Sequence, residues 1–284
     1  MKKIAILLAV FFTVSCTTNG VSTAQSVSGV QADTKLHAAI TQTMKARGVD
    51  VDVTVERLKD LDNPQGFYFY KINISVPANN ISQDQYLFYN GKYIVEDFAD
   101  AETGERISRE LLFDLVKTDI DTSSLTLIAG KAGAKNIIVE ITDFECPYCR
   151  STSAYLEQKL AGRDDVAVYV IHMPLNIHPT AIPMARSFEA GMMMGHNFAH
   201  ELFSNNDFIG MDEQDLIDYF ASNSNDSEKF IELYNSEEVT AKLNNSLSMA
   251  GGLNINSTPI LYINGSRIEG FDTRTIDKAF DRMK

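Results

Sequence analysis

DFECPYCR, residues Asp143 to Arg150, places two cysteines with two residues between them, and the 284-residue chain contains only one other cysteine. The reading of this stretch decides the rest. A pair at this spacing is a metal clip, a structural staple or a working redox couple. Pro147 follows the first cysteine and suits the first position of a helix, where its missing N–H has no intrahelical partner to lose. The stretch before it, NIIVEIT (136–142), is apolar except for Glu140, as expected of a strand buried on both faces. The spacing therefore predicts a buried strand, a turn at 143–145 and a helix over about 147–161, with Cys146 at its start.

The third cysteine lies near the beginning of the chain. Lys2 and Lys3 precede an uncharged run from Ile4 to Val14, eleven residues long. That run is too short to cross a hydrocarbon layer of ~30 Å and suits the core of a signal peptide. Ser15 and Cys16 follow, and the whole resembles a bacterial lipoprotein signal, with Thr13 where such signals more often carry Leu. The expectation is a signal peptide at 1–15 and a lipidated Cys16. The alternative is an ordinary secretory signal cut near Ala24.

Export changes how the remaining pair reads, because disulfides persist outside the cytoplasm. A disulfide framework needs several pairs joining distant segments. One pair that closes so short a loop gains little from loop closure and is a poor staple. A structural zinc site needs about four ligands. Here one CxxC and five scattered histidines supply them only if distant histidines converge. His196 and His200 stand at i, i+4, with no carboxylate or cysteine to complete a recognisable metal motif. The redox reading is favoured, and no cofactor is implied.

Composition sets outer limits. Hydrophobic residues make up 44% of the chain, enough for a normal core, and the formal net charge is −13. From Cys16 onward 23 basic residues face 38 acidic ones, a balance of −15. That disfavours nucleic acid and anionic lipid surfaces as partners.

The chain divides by pattern. Residues 16–32 are rich in Ser, Thr, Gly and Gln and read as a flexible tether. Asp33 to Arg47 has Leu36, Ile40 and Met44 at helical spacing, Asp33 or Thr34 as cap, and Gly48 as stop. Three stretches rich in β-branched and aromatic residues follow, 51–56, 66–75 and 85–97, the last with a hairpin signal at Asn90-Gly91. Together they predict a small α+β domain over 33–104. A connecting helix is expected within 105–124, with Ile107, Leu111, Leu112 and Leu115 along one face. From 125 the expected order is strand 136–142, helix 147–161 and strand 165–173. Several short helices then fill about 180–251, followed by a hairpin around Asn264-Gly265 and a final helix from Thr273.

VEITDFECPYC (139–149) and STPILYINGSRIEG (257–270) together resemble the thioredoxin-fold thiol–disulfide oxidoreductases of the bacterial envelope, the Dsb type. The resemblance covers about 125–284 and implies an α/β thioredoxin-like domain with a helical insertion. It also implies a cis bond between Thr258 and Pro259 beside the cysteines, with the backbone of Thr258 pairing substrate peptide, and Pro147 and Tyr148 flanking the same site. A buried acid beneath the active site is a further feature of the family, and Glu140 matches it. The segment YLFYNGKYIVEDFADAETGERI resembles the dimerisation domain of the DsbC and DsbG subgroup, a cystatin-like α+β unit, whereas HMPLNIHP (172–179) resembles the DsbA-like oxidases. The implied activity is disulfide exchange with thiol-containing exported proteins, as oxidase or isomerase, in the periplasm or another extracytoplasmic space. A lipid anchor, a homodimer and a membrane redox partner that recycles the pair complete the expectation. A chaperone-like binding module and a metal-delivery protein are the competing readings.

The chemistry expected of the pair follows from position. A cysteine at a helix N-terminus faces unpaired N–H groups and the positive end of the helix dipole, and both favour the thiolate. Cys146 is expected to attack and Cys149, one turn further in, to resolve. Arg150 is expected to help if it folds back, and Asp143 and Glu145 are expected to be solvated.

Overall fold

The computed structural model describes residues 29–79 and 81–283, and the chain forms two compact units, up to Asp97 and from Phe98. The signal segment 1–15, Cys16 and the tether as far as 28 lie outside the described residues.

In the first unit, helix α1 (Gly29–Ala46) covers an antiparallel meander of β1 (Asp52–Asp60), β2 (Tyr68–Val76), β3 (Ile81–Tyr89) and β4 (Ile94–Val95), paired in that order. Ala32, Leu36, Ile40 and Met44 recur every fourth residue and are buried against Tyr70, Ile72, Ile74 and Leu87 of the sheet. Each of the larger three contributes about 1.5–3 kcal/mol by burial. The helix begins four residues before the expected Asp33 cap. Asp33 is engaged elsewhere, as its carboxylate accepts the Tyr70 hydroxyl at 2.7 Å. The stop is as expected: Gly48 adopts φ +73°, Val49 N–H donates to Met44 O and Gly48 N–H to Lys45 O, a Schellman end. The hairpin signal at Asn90-Gly91 marks a smaller feature than anticipated. β3 pairs with β2 along nine positions but with β4 at only two, Phe88 with Val95 and Tyr89 with Ile94.

The second unit holds a five-stranded mixed sheet in the order β5-β7-β6-β8-β9. Its strands are β5 (Thr126–Gly130), β6 (Asn136–Thr142), β7 (Val166–His172), β8 (Ile260–Ile263) and β9 (Ser266–Glu269). Only β6 and β7 run parallel. Helix α2 (Ile107–Leu115) precedes the sheet and α3 (Pro147–Leu160) joins β6 to β7. Five helices then run from 181 to 252: α4 (Ala181–Met193), α5 (Ala199–Ser204), α6 (Glu213–Ser222), α7 (Ser227–Tyr234) and α8 (Glu237–Gly252). Helix α9 (Thr273–Arg282) closes the chain. The β8–β9 turn has positive φ at both Asn264 (46°) and Gly265 (80°), which accounts for an Asn-Gly pair there.

Two features go beyond the sequence reading. Helix α2, the expected connecting helix, lies in the second unit with Leu111 and Phe113 buried, and its Asp114 pairs with Lys278 and Arg282 of α9. Strand β5 has no counterpart in the sequence reading. It is five residues long with one buried side chain, Ile128, and contributes too little alternation to stand out.

Candidate functional site

Strand β6 leads directly into the site. Its pleat puts Glu140 and Thr142 on one face, because side chains alternate along a strand. Both are buried, at 2% and 1% exposure. The chain then turns through Asp143–Glu145, and Cys146 takes the N-cap position of α3 with extended backbone (φ −67°, ψ 123°) ahead of Pro147 at the first helical position. Arg150 N–H donates to Cys146 O at 3.0 Å, closing the first turn.

Cys146 is 5% exposed and Cys149 is fully buried. Tyr148, between them, is 66% exposed. The Thr258–Pro259 peptide bond is cis, and Thr258 presents its carbonyl oxygen 3.8 Å from the Cys146 sulfur. The ends of two segments more than a hundred residues apart thus meet at one sulfur.

The two thiols differ in acidity. A hydrogen bond from the Cys149 side chain is the largest influence on Cys146, followed by burial, which opposes it, and by the N–H groups of Cys149 and Tyr148. The outcome is a Cys146 thiol lowered to about 5. Cys149 moves the other way: burial raises it well above the ordinary thiol value, and the neighbouring Cys146 adds to that. One cysteine is therefore a thiolate at neutral pH and the other is its hydrogen-bond donor. On β6, burial pushes the Glu140 carboxyl up to about 7, and the Thr142 hydroxyl works weakly against it.

The acids beside the pair are not solvated as expected. Asp143 and Glu145 are 3% and 5% exposed. Asp143 Oδ1 accepts Glu145 N–H, while Oδ2 accepts Leu175 N–H and lies 2.7 Å from His178 Nδ1. Glu145 Oε2 accepts both the N–H and the hydroxyl of Thr180 at 2.7 Å. The two carboxylates pin the segment 173–180 beside the cysteines. Arg150 does not fold back to Cys146 either. Its guanidinium donates to the carbonyls of Phe144, Leu202, Phe203 and Asn205, tying the end of α5 to the start of α3.

The histidines at i, i+4 do not share a site. His196 stacks on Phe198 and His200 Nδ1 lies 2.9 Å from Glu157. Sequence reasoning passed over Thr142 and Thr180, which no motif marks. Their positions signal them only once β6 is known to be buried.

Comparison with known proteins follows the same division of the chain. An Na(+)/H(+) antiporter NhaA 1 of Mycolicibacterium vanbaalenii is 32% identical over 161 residues, covering 54% of this chain and 26% of that protein. An Na(+)/H(+) antiporter NhaA of Herminiimonas arsenicoxydans is 30% identical over 159 residues, covering 55% of this chain and 25% of its own length. The chain thus spans about a quarter of the length of these curated relatives. Among solved structures, BdbD from Bacillus subtilis superimposes with a TM-score of 0.51 at 20% identity, over 59% of this chain and 97% of BdbD, a likeness of fold. The family model described as Thioredoxin matches residues 122–282, more than half of the chain and all of its five-stranded sheet, and the chain belongs to that family.

Proposed function

We propose that the protein is an extracytoplasmic thiol–disulfide oxidoreductase that works through Cys146 and Cys149 and runs in the oxidising direction on exported proteins. The observation that carries this is the split acidity of the pair, with Cys146 held at about 5 and Cys149 raised. A stabilised Cys146 thiolate favours the dithiol form, so the disulfide form gives up its bond readily. A substrate thiolate attacks Cys146, the Cys146–Cys149 bond breaks, and Cys149 leaves. A second substrate thiol then attacks the mixed disulfide and releases Cys146 as thiolate. Glu140 exchanges the proton with Cys149. Thr258, Pro259, Pro147 and Tyr148 surround the sulfur and form the contact surface for substrate peptide.

The wider setting belongs to the same proposal. Cys16 carries the lipid anchor, a membrane redox partner reoxidises the pair, and the first unit, taken as cystatin-like, joins two chains. The test is a mixing experiment in which oxidised protein meets a reduced peptide with two cysteines. Peptide disulfide should form in stoichiometric yield, and Cys146→Ser should abolish it. Equal yield from the Cys146→Ser variant would end the proposal. A glutathione titration should place the couple toward the oxidising end of the known range, nearer −120 than roughly −270 mV.

A further inference from the structure

Cys149 must lose or gain a proton each time its sulfur breaks or makes the disulfide, yet it is fully buried. A buried group of this kind needs a route for its proton. Two polar side chains on the same face of β6 have no hydrogen-bond partner, Glu140 through Oε1 and Thr142 through Oγ1. Buried hydroxyls and carboxyls without partners are uncommon, and each asks for a reason. The Thr142 hydroxyl stands beside both the Cys149 thiol and the Glu140 carboxyl and influences both. In the resting geometry it is committed to neither. Thr142 therefore occupies the position of a switchable bridge.

Glu140 in turn lines a cavity of about 300 Å³. Its walls are largely apolar and include Ile128, Leu156, Val168 and Phe203. The titratable groups on it besides Glu140 are Glu157 of α3 and His200 of α5. These two form an exposed pair, with side chains 46% and 75% accessible. The strands flanking Glu140 present Val170 and Leu261 opposite it, neither of them titratable. The cavity therefore runs from a solvent-exposed pair of titratable side chains to a buried carboxyl.

We infer that Thr142 is a proton-relay residue, its hydroxyl passing protons between Cys149 and Glu140, and that the cavity beside Glu140 connects this relay to solvent at Glu157 and His200. The inference rests on the exchange reaction proposed above. In the oxidising direction the substrate sulfur bonds to Cys146 and the Cys146–Cys149 bond breaks. The electron pair stays on Cys149, which takes the hydroxyl proton of Thr142 while Thr142 takes the proton of neutral Glu140. Glu140 is left as a carboxylate and regains a proton through the cavity. When the pair is reoxidised the steps run in reverse: Glu140 first releases its proton through the cavity, the Thr142 hydroxyl then passes its proton to the Glu140 carboxylate while taking the one from Cys149, and Glu140 ends protonated.

The test uses the full chain with Thr142→Val, which keeps the shape and removes the hydroxyl, and Thr142→Ser, which keeps the hydroxyl. Rapid mixing of oxidised protein with dithiothreitol over a pH series reads the step in which Cys149 leaves. Thr142→Val is expected to slow that step roughly a hundredfold and to flatten its pH inflection, at the low end of what positioned proton transfer supplies. Thr142→Ser should restore both. Glu140→Gln should match Thr142→Val, and the double variant should be no slower than either single one, because both act on one relay. The Cys146 thiolate titration should not move in Thr142→Val, whereas a general disturbance of the site would shift it. An unchanged rate and inflection in Thr142→Val, or additive losses in the double variant, would overturn the relay. Loss of the relay alone leaves exchange dependent on Cys146. Exchange that survives Cys146→Ser would instead strike at the proposed reaction itself.

Discussion

Cys146 illustrates how one residue's chemistry depends on its neighbour more than on its own sequence position. The helix N-terminus supplies N–H donors, but the Cys149 thiol is the strongest single influence holding Cys146 near 5. The ultraviolet absorbance of the thiolate in the reduced protein should titrate with a midpoint near 5. In Cys149→Ala the lost bond to a charged acceptor, about 1.5–3 kcal/mol, should move that midpoint up by roughly one to two units, with Cys149→Ser in between. An unmoved midpoint in Cys149→Ala would contradict this account. Glu140 carries the opposite sign. Its carboxyl is raised to about 7 in the folded chain from an ordinary value of 4.5. Below the ordinary value it is neutral in both folded and unfolded states, and its burial carries no ionisation penalty. As pH rises from there through the folded value, the unfolded chain ionises first and stability falls by about 3 kcal/mol. Glu140→Gln should escape this loss. In urea unfolding followed against pH, its stability relative to the unmodified protein should grow from acid to about pH 8 by roughly that amount. A difference independent of pH would mean that Glu140 is ionised in the folded state.

At the scale of elements, one side chain gathers most of the hydrogen bonds that join the start of α3 to the helical insertion. Arg150 closes off carbonyls at the end of α5 that no helix bond satisfies, together with Phe144 O next to the cysteines. Arg150→Ala leaves several buried acceptors unpaired, and each of these costs about 1–3 kcal/mol before relaxation. The expected result is a loss of roughly 3 kcal/mol in unfolding free energy, with faster amide exchange confined to about 200–210. Arg150→Lys should recover only part of this, because one ammonium cannot reach all the carbonyls that the planar fork does. The Cys146 midpoint should stay where it is, since the guanidinium is turned toward α5. A parallel upward shift of that midpoint would show Arg150 acting on the sulfur after all. The segment 173–180 is held by comparable means, with Asp143 and Glu145 using their carboxylates as acceptors for backbone and side-chain donors.

For the molecule as a whole, the division at Asp97 and Phe98 predicts how it can be cut. A chain beginning at 98 keeps α2, with Leu111 and Phe113 buried against the second unit, and should fold and retain disulfide exchange. A chain beginning at 117 loses both and should be destabilised by several kcal/mol, about 3–5 for the Phe113 contribution alone. Thermal unfolding of the two truncations, read by circular dichroism, checks the order, and equal stabilities would refute it. Much of this design was legible in the residues themselves. The apolar run of β6, the CPYC step into a helix and the Asn-Gly turn after β8 depend on local rules of burial, φ and capping that short stretches obey by themselves, whereas the Thr-Pro before β8 was marked by the family resemblance alone. The fourfold spacing in α1 announced its buried face for the same reason. What the tertiary structure alone decided was which polar groups meet. Nothing local told whether Asp143 and Glu145 face water or the 173–180 segment, whether Arg150 turns to Cys146 or to α5, or that α2 packs on the second unit. Thr142 gained significance only when β6 was buried and α3 brought Cys149 beside it. A side chain's charge state and partners depend on residues distant in sequence, brought within a few ångströms by packing, and no window of neighbouring residues contains that information.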